Sequence, residues 1–167
     1  MIQVATGAGL AGARSAIDAL LREGKHRVHL YYGLRDARDL PYRDELEAWA
    51  DDVRLTLLVS SREPAAAKAR EPGLGAAIAR GQALARAARP GWFARRRPRH
   101  ALAERLPKKG GKIYAQHAVA LDHAVRLADA VLVACGRAEL LLEIEPIVRA
   151  VCADCDELIQ RRLFTNI

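Results

Sequence analysis

Four short stretches of this 167-residue chain combine residue types that can hold phosphate and an aromatic base. In "TGAGLAG", Thr6 to Gly12, the residues Gly7, Gly9 and Gly12 have the G-x-G-x-x-G spacing. Glycines in such a loop let backbone N–H groups approach a pyrophosphate, and the N-terminus of the following helix adds the positive end of a dipole. A tight structural turn can share that spacing. The acid that a dinucleotide loop pairs with at the end of its second strand also comes late here, because "YYGLRD" puts Arg35 before Asp36. In "SSRE", Ser61 and Arg62 supply a hydroxyl and a guanidinium, a pair suited to a phosphate monoester through bidentate hydrogen bonds and charge. In "KIYAQ", Lys112, Tyr114 and Gln116 alternate, so an extended segment would turn all three the same way. They would supply a cation for phosphate, an aromatic plate for a base and an amide for its edge. The alternative is that Ser61 and Arg62 begin a loop and Tyr114 packs on the core. Finally, the apolar run "AVLVACG" ends in Cys135 and Gly136, which reads either as a ligand-facing strand end or as a buried thiol.

The elements that must position these groups alternate. "IQVA" reads as a strand leading into the glycine loop. A helical pattern follows from Ala13, with Ile17, Leu20 and Leu21 on one side and Gly24 as its stop. "RVHLYYG", Arg27 to Gly33, is a second strand, with a turn and a helix from Tyr42 to about Ala50 behind it; Val53 to Ser60 is a third strand. Such alternation implies crossover units and a parallel sheet covered on both faces. The pattern then breaks into an Ala- and Arg-rich insertion over residues 63–111, with prolines throughout and helix-like stretches at 76–88 and 99–106. Order resumes at Lys112, whose segment turns helical before a fourth strand at 130–136. A mainly helical stretch follows, with Pro146 as a kink or break, and a short fifth strand is expected near Phe164.

Charge and composition narrow the functional classes. The net charge of +7 is localised: residues 63–111 hold twelve Lys and Arg against three Glu, and the rest of the chain is near balance. "GWFARRRPRH" within that segment mixes aromatics with arginines, which suits either a docking surface for nucleic acid or an acidic redox protein or a solvated basic loop, the favoured reading. No apolar run approaches the ~18 residues of a spanning helix, and the N-terminus lacks the pattern of a signal peptide. Three cysteines leave one unpaired in any disulfide scheme, and the expectation is a cytoplasmic protein. Cys152 and Cys155 form a C-x-x-C without the further ligands zinc needs, so no metal site is expected.

Taken in order, "ATGAGLAGARS", "YYGLRDARDLPYRDELEAW", "SSRE", "KIYAQ" and "LVACG" resemble the pyridine-nucleotide domain of the ferredoxin–NADP reductase superfamily, in its plant-type and diflavin-reductase branches. The resemblance implies an α/β fold, a doubly wound parallel five-stranded sheet of order 3-2-1-4-5 spanning residues 1–167, with the basic insertion between the third strand and the following helix. It implies that Thr6, Gly7 and Gly9 follow the pyrophosphate and nicotinamide-ribose path, with Arg35 beside the pyrophosphate. Ser61 and Arg62 would clamp the 2′-phosphate with help from Lys112. Tyr114 would stack on adenine with Gln116 beside it, and Cys135 and Gly136 would lie near the reacting carbon of the nicotinamide. The family's first loop usually reads T-G-T-G-I-A-P, so Ala8 stands here for a threonine and Gly12 for a proline.

The implied function is an NADPH-dependent oxidoreductase component that presents NADP(H) to FAD or FMN. The superfamily's R-x-Y-S flavin motif is not found in this chain, so the flavin is expected in trans, from a separate domain or subunit. The competing reading is a non-catalytic relic of the fold, docking nucleic acid or an acidic protein through its basic segment.

Overall fold

The computed structural model describes residues 1–24, 27–60, 72–87, 113–123, 127, 130–152 and 156–166. Strand β1 (Ile2–Thr6) leads into helix α1 (Gly9–Glu23), then β2 (Val28–Leu34), α2 (Arg43–Ala48) and β3 (Val53–Val59). Helix α3 (Pro72–Ala87), α4 (Ala115–His123), β4 (Leu132–Cys135), α5 (Ala138–Val151) and β5 (Leu163–Asn166) complete the described elements. The five strands form one parallel sheet of order β3-β2-β1-β4-β5, as expected.

The register explains the two-sided core. Ala5, Tyr32 and Leu57 lie in one row across β1, β2 and β3, on the face covered by Leu10, Ala13 and Ile17 of α1. Val4, Tyr31 and Ala134 face the other way, against Ala115, Ala118 and Val119 of α4 and Ile144 and Val148 of α5. A strand buried on both faces needs apolar residues at every position, which is why β1 and β2 carry nearly continuous hydrophobic runs. Helix α1 ends where Gly24, at φ 65°, folds its N–H back to the carbonyls of Leu20 and Leu21.

The segment expected to interrupt the fold contains one of its core helices. In α3, Leu74, Ala77 and Ile78 recur at helical spacing and join the core beneath β3. The helix runs along the outer edge of β3. Arg80 donates from Nε to the Leu55 carbonyl at 2.7 Å, and Gly81 lies so close to the Leu57 carbonyl that a Cβ would collide with it. Covering an edge strand in this way blocks pairing with other chains. Pro72 occupies the first helical position, where a missing N–H is harmless. The next two amides, of Gly73 and Leu74, donate to the Glu47 carboxylate at 2.9 and 2.8 Å. The second helix-like stretch expected at 99–106 lies outside the described residues.

Two further elements differ from the sequence reading. Helix α5 runs through Pro146 without the break that was one of two expectations there, and α4 begins at Ala115, so Gln116 is helical and not part of an extended run. His117 makes that early start possible. Its Nδ1 accepts the Tyr114 N–H at 3.1 Å, satisfying one of the donors that a helix N-terminus leaves without a backbone partner.

Candidate functional site

At the carboxyl edge of the sheet, β1 lies between β2, whose crossover helix α1 packs on one face, and β4, whose neighbours α4 and α5 pack on the other. Open α/β sheets form a crevice at such a reversal of strand order. Here the crevice has a volume of about 730 Å³ and is lined by Thr6, Gly7, Arg35, Tyr114, Gln116 and Arg137, among others. That size is ordinary for a site taking a small molecule or cofactor.

The floor comes from the two turns that leave β1 and β4. Gly7 adopts φ +53°, a left-handed conformation natural to glycine, and nothing lies within 4 Å of where its side chain would be. The Tyr32 hydroxyl, otherwise buried, donates to the Gly7 carbonyl at 2.9 Å and fixes the turn to β2. Helix α1 then starts without a side-chain cap, since Ala8 has no side-chain acceptor, although the Gly7 and Ala8 carbonyls take the Leu10 and Ala11 amides. An uncapped N-terminus beside a cleft is suited to an anion. The Thr6 hydroxyl accepts the Arg137 N–H at 3.3 Å, which leaves its own proton available to a ligand oxygen.

Five of the expected residues meet in this cleft: Thr6, Gly7, Arg35, Tyr114 and Gln116. Tyr114 is 45% exposed, so it presents its ring to the cleft instead of packing on the core. Gln116 is buried and reaches the wall from the first turn of α4. The extended segment expected to align Tyr114 with Gln116 is replaced by this helix start, yet both still line the same cavity. Ser61, Arg62 and Lys112 lie outside the described residues.

Gly9, Cys135 and Gly136 underlie the cleft and are not among its lining residues. A Cβ on Gly9 would strike the Cys135 carbonyl, and one on Gly136, at φ +149°, would strike Thr6. Cys135 itself is 4% exposed, and burial pushes its thiol pKa up, keeping it protonated and poorly nucleophilic. Asp36, the late acid after β2, is engaged locally: hydrogen bonds from the Arg38 side chain and backbone hold its carboxyl at about 2. It caps a short 3₁₀ turn, Ala37–Asp39, and its charge is matched by Arg38.

The sequence reading missed three residues at the cleft. Tyr32 locks the first turn, the exposed Arg137 lines the cleft as Arg35 does, and Glu143 on α5 accepts a hydrogen bond from Gln116 Nε2 at 2.8 Å. Arg137 stands directly after the recognised Cys-Gly pair, which is a positional signal. Glu143 carries no local one. Among the described residues no group of three or more metal-ligating side chains is found, and no helix is long and apolar enough to cross a membrane. Cys152 is buried at the end of α5, and Cys155 lies outside the described residues.

Comparison with a family model covers the elements from β1 through β3, which carry Thr6, Gly7 and Arg35 of the cleft but not Tyr114, Gln116 or Arg137. Residues 3–83 match the family described as the oxidoreductase NAD-binding domain. A 62-residue stretch is 45% identical to the bifunctional cytochrome P450/NADPH–P450 reductase 1 of Bacillus subtilis (strain 168), over 34% of this chain and 6% of that protein. The chain thus spans a small part of that relative's length. Both matches support the resemblance to the nucleotide domain of the ferredoxin–NADP reductase superfamily.

Proposed function

We infer that this chain, which carries an oxidoreductase NAD-binding domain, holds NADP(H) in the cleft between the β1 and β4 turns and presents the nicotinamide to a flavin on another domain or subunit. The observation that carries this reading is the convergence of Thr6, Gly7, Arg35, Tyr114 and Gln116, distant in sequence, on one cavity at the switch point. The residues fit the group. The open Gly7 turn and the uncapped start of α1 suit a pyrophosphate, and Arg35 and Arg137 supply positive charge in a lining that also holds Asp39, Glu139 and Glu143. The exposed Tyr114 ring suits a purine. Bound NADPH would supply the hydride and the flavin would accept it. The chain's own part is to bind, orient and shield: Cys135 and Gly136 shape the floor, and the protonated thiol acts as packing and not as a nucleophile.

Preference for the 2′-phosphate rests on Ser61, Arg62 and Lys112. Titration of the chain with NADPH, NADH and 2′,5′-ADP tests it, with NADPH expected to bind more tightly than NADH. Arg62→Ala is expected to cost about 1.5–3 kcal/mol for the phosphate-bearing ligands and much less for NADH. Equal loss for both would remove the phosphate assignment, and absence of binding by all three would favour a relic of the fold over a working nucleotide domain.

A further inference from the structure

Gln116 contains an orphaned atom. The residue is 4% exposed and its Nε2 donates to Glu143 Oε2, yet its Oε1 is buried with no hydrogen-bond partner among the described residues. Leaving a buried acceptor unpaired costs free energy that a ligand donor can recover. An amide can be turned over, so its neighbour decides which end remains for a ligand. An ionised carboxylate only accepts hydrogen bonds; Glu143 therefore takes the NH₂ end, and the acceptor end is what remains.

The imidazole beside it supports the same polarity. His117 is 2% exposed, and because its Nδ1 accepts the Tyr114 N–H, the neutral ring carries its proton on Nε2, 3.8 Å from Glu143 Oε2. Glu143 Oε2 thus accepts from the Gln116 amide and has the imidazole N–H at a longer 3.8 Å, beyond hydrogen-bond distance. The same imidazole holds the Tyr114 backbone, and the two rings lie 5.7 Å apart. One carboxylate on α5 therefore bonds the amide of the cleft and lies near the imidazole that holds the backbone of its aromatic plate.

We propose that Glu143 is a positioning residue that fixes the polarity of Gln116, so that the cleft takes a base whose edge donates a hydrogen bond. The fitting group is the 6-amino group of adenine. A 6-oxo purine such as hypoxanthine would set its carbonyl oxygen against Gln116 Oε1. The proposal rests on the reading of the cleft as an NADP(H) site and adds the property that selects the base.

The test compares binding of NADPH with that of its hypoxanthine counterpart to the full chain. The unsubstituted protein is expected to prefer the adenine form by about tenfold or more, the scale of one buried hydrogen bond. Glu143→Gln can donate as well as accept, which frees Gln116 to turn over, so the ratio should fall toward one while NADPH still binds. Gln116→Met, which removes the acceptor, should abolish the preference independently. A merely structural role for Glu143 would weaken both ligands alike and leave their ratio unchanged, which would overturn its assignment. Equal and tight binding of both by the unsubstituted protein would overturn the polarity and leave the nucleotide reading standing. Binding of neither would overturn both.

Discussion

The turns after β1 and β4 look alike in sequence, each a strand running through glycine into a helix, but they use glycine for different ends. Gly7 bends the first turn with open space above it. Gly9 and Gly136 instead let the turns interlock, Gly9 making room for the Cys135 carbonyl and Gly136 for Thr6. The Thr6 hydroxyl and the Arg137 N–H close the joint. A phosphate-loop spacing can thus divide into one position that serves the cleft and another that holds two strand–turn–helix units together.

Substitutions at these glycines test that division. The largest effect is expected for Gly136→Ala, which combines an unfavourable φ with a collision against backbone: about 2–5 kcal/mol of stability in urea unfolding. Gly9→Ala meets backbone without the φ penalty and should lose about 1–3 kcal/mol. A loss at either position no greater than that of Gly7→Ala, expected at about 1–2 kcal/mol from its left-handed conformation alone, would break the comparison. Tyr32→Phe removes the tie to the Gly7 carbonyl and should cost about 1 kcal/mol, with weaker nucleotide binding as the sharper readout.

A last measurement should leave both turns untouched. Burial lowers the pKa of His117 from its ordinary value of about 6.5, with the Glu143 charge opposing in part. The unfolded chain therefore binds a proton that the folded chain refuses. This contribution is fully present above about pH 6.5 and is lost as pH falls from there through the folded value. The melting temperature should decline over that window, less so in His117→Gln, and the Gly9 and Gly136 variants should keep the dependence of the unsubstituted protein.

The sheet was legible because its strands are apolar runs separated by helical periodicity, and the strand boundaries moved by only a residue or two. What stayed hidden depends on side-chain partners that local patterns do not signal, some of them far along the chain. The helix-like stretch at 76–88 is α3, but Pro72, Gly73 and Gly75 hid its first turn, although Leu74, Ala77 and Ile78 had core spacing. The group that receives its first amides, Glu47, lies 26 positions earlier. The start of α4 at Ala115 was missed because the side chain receiving the Tyr114 amide is a histidine inside the helix, not a serine or aspartate before it. Tyr114 and Gln116 were recognised by residue type, whereas Glu143 gains its role only because α5 packs beside α4.

The joint between Thr6 and Arg137 also bears on how the molecule assembles. Its two residues are 131 positions apart, and β1 cannot be enclosed until β4 pairs with it. The region matching the oxidoreductase family, residues 3–83, brings β1, β2 and β3 together but leaves one side of β1 without a neighbour. A ribosome that has released only that portion has made the glycine loop without its opposite wall. Loop closure of that length is slow and follows local folding, so the cleft is among the last features to form.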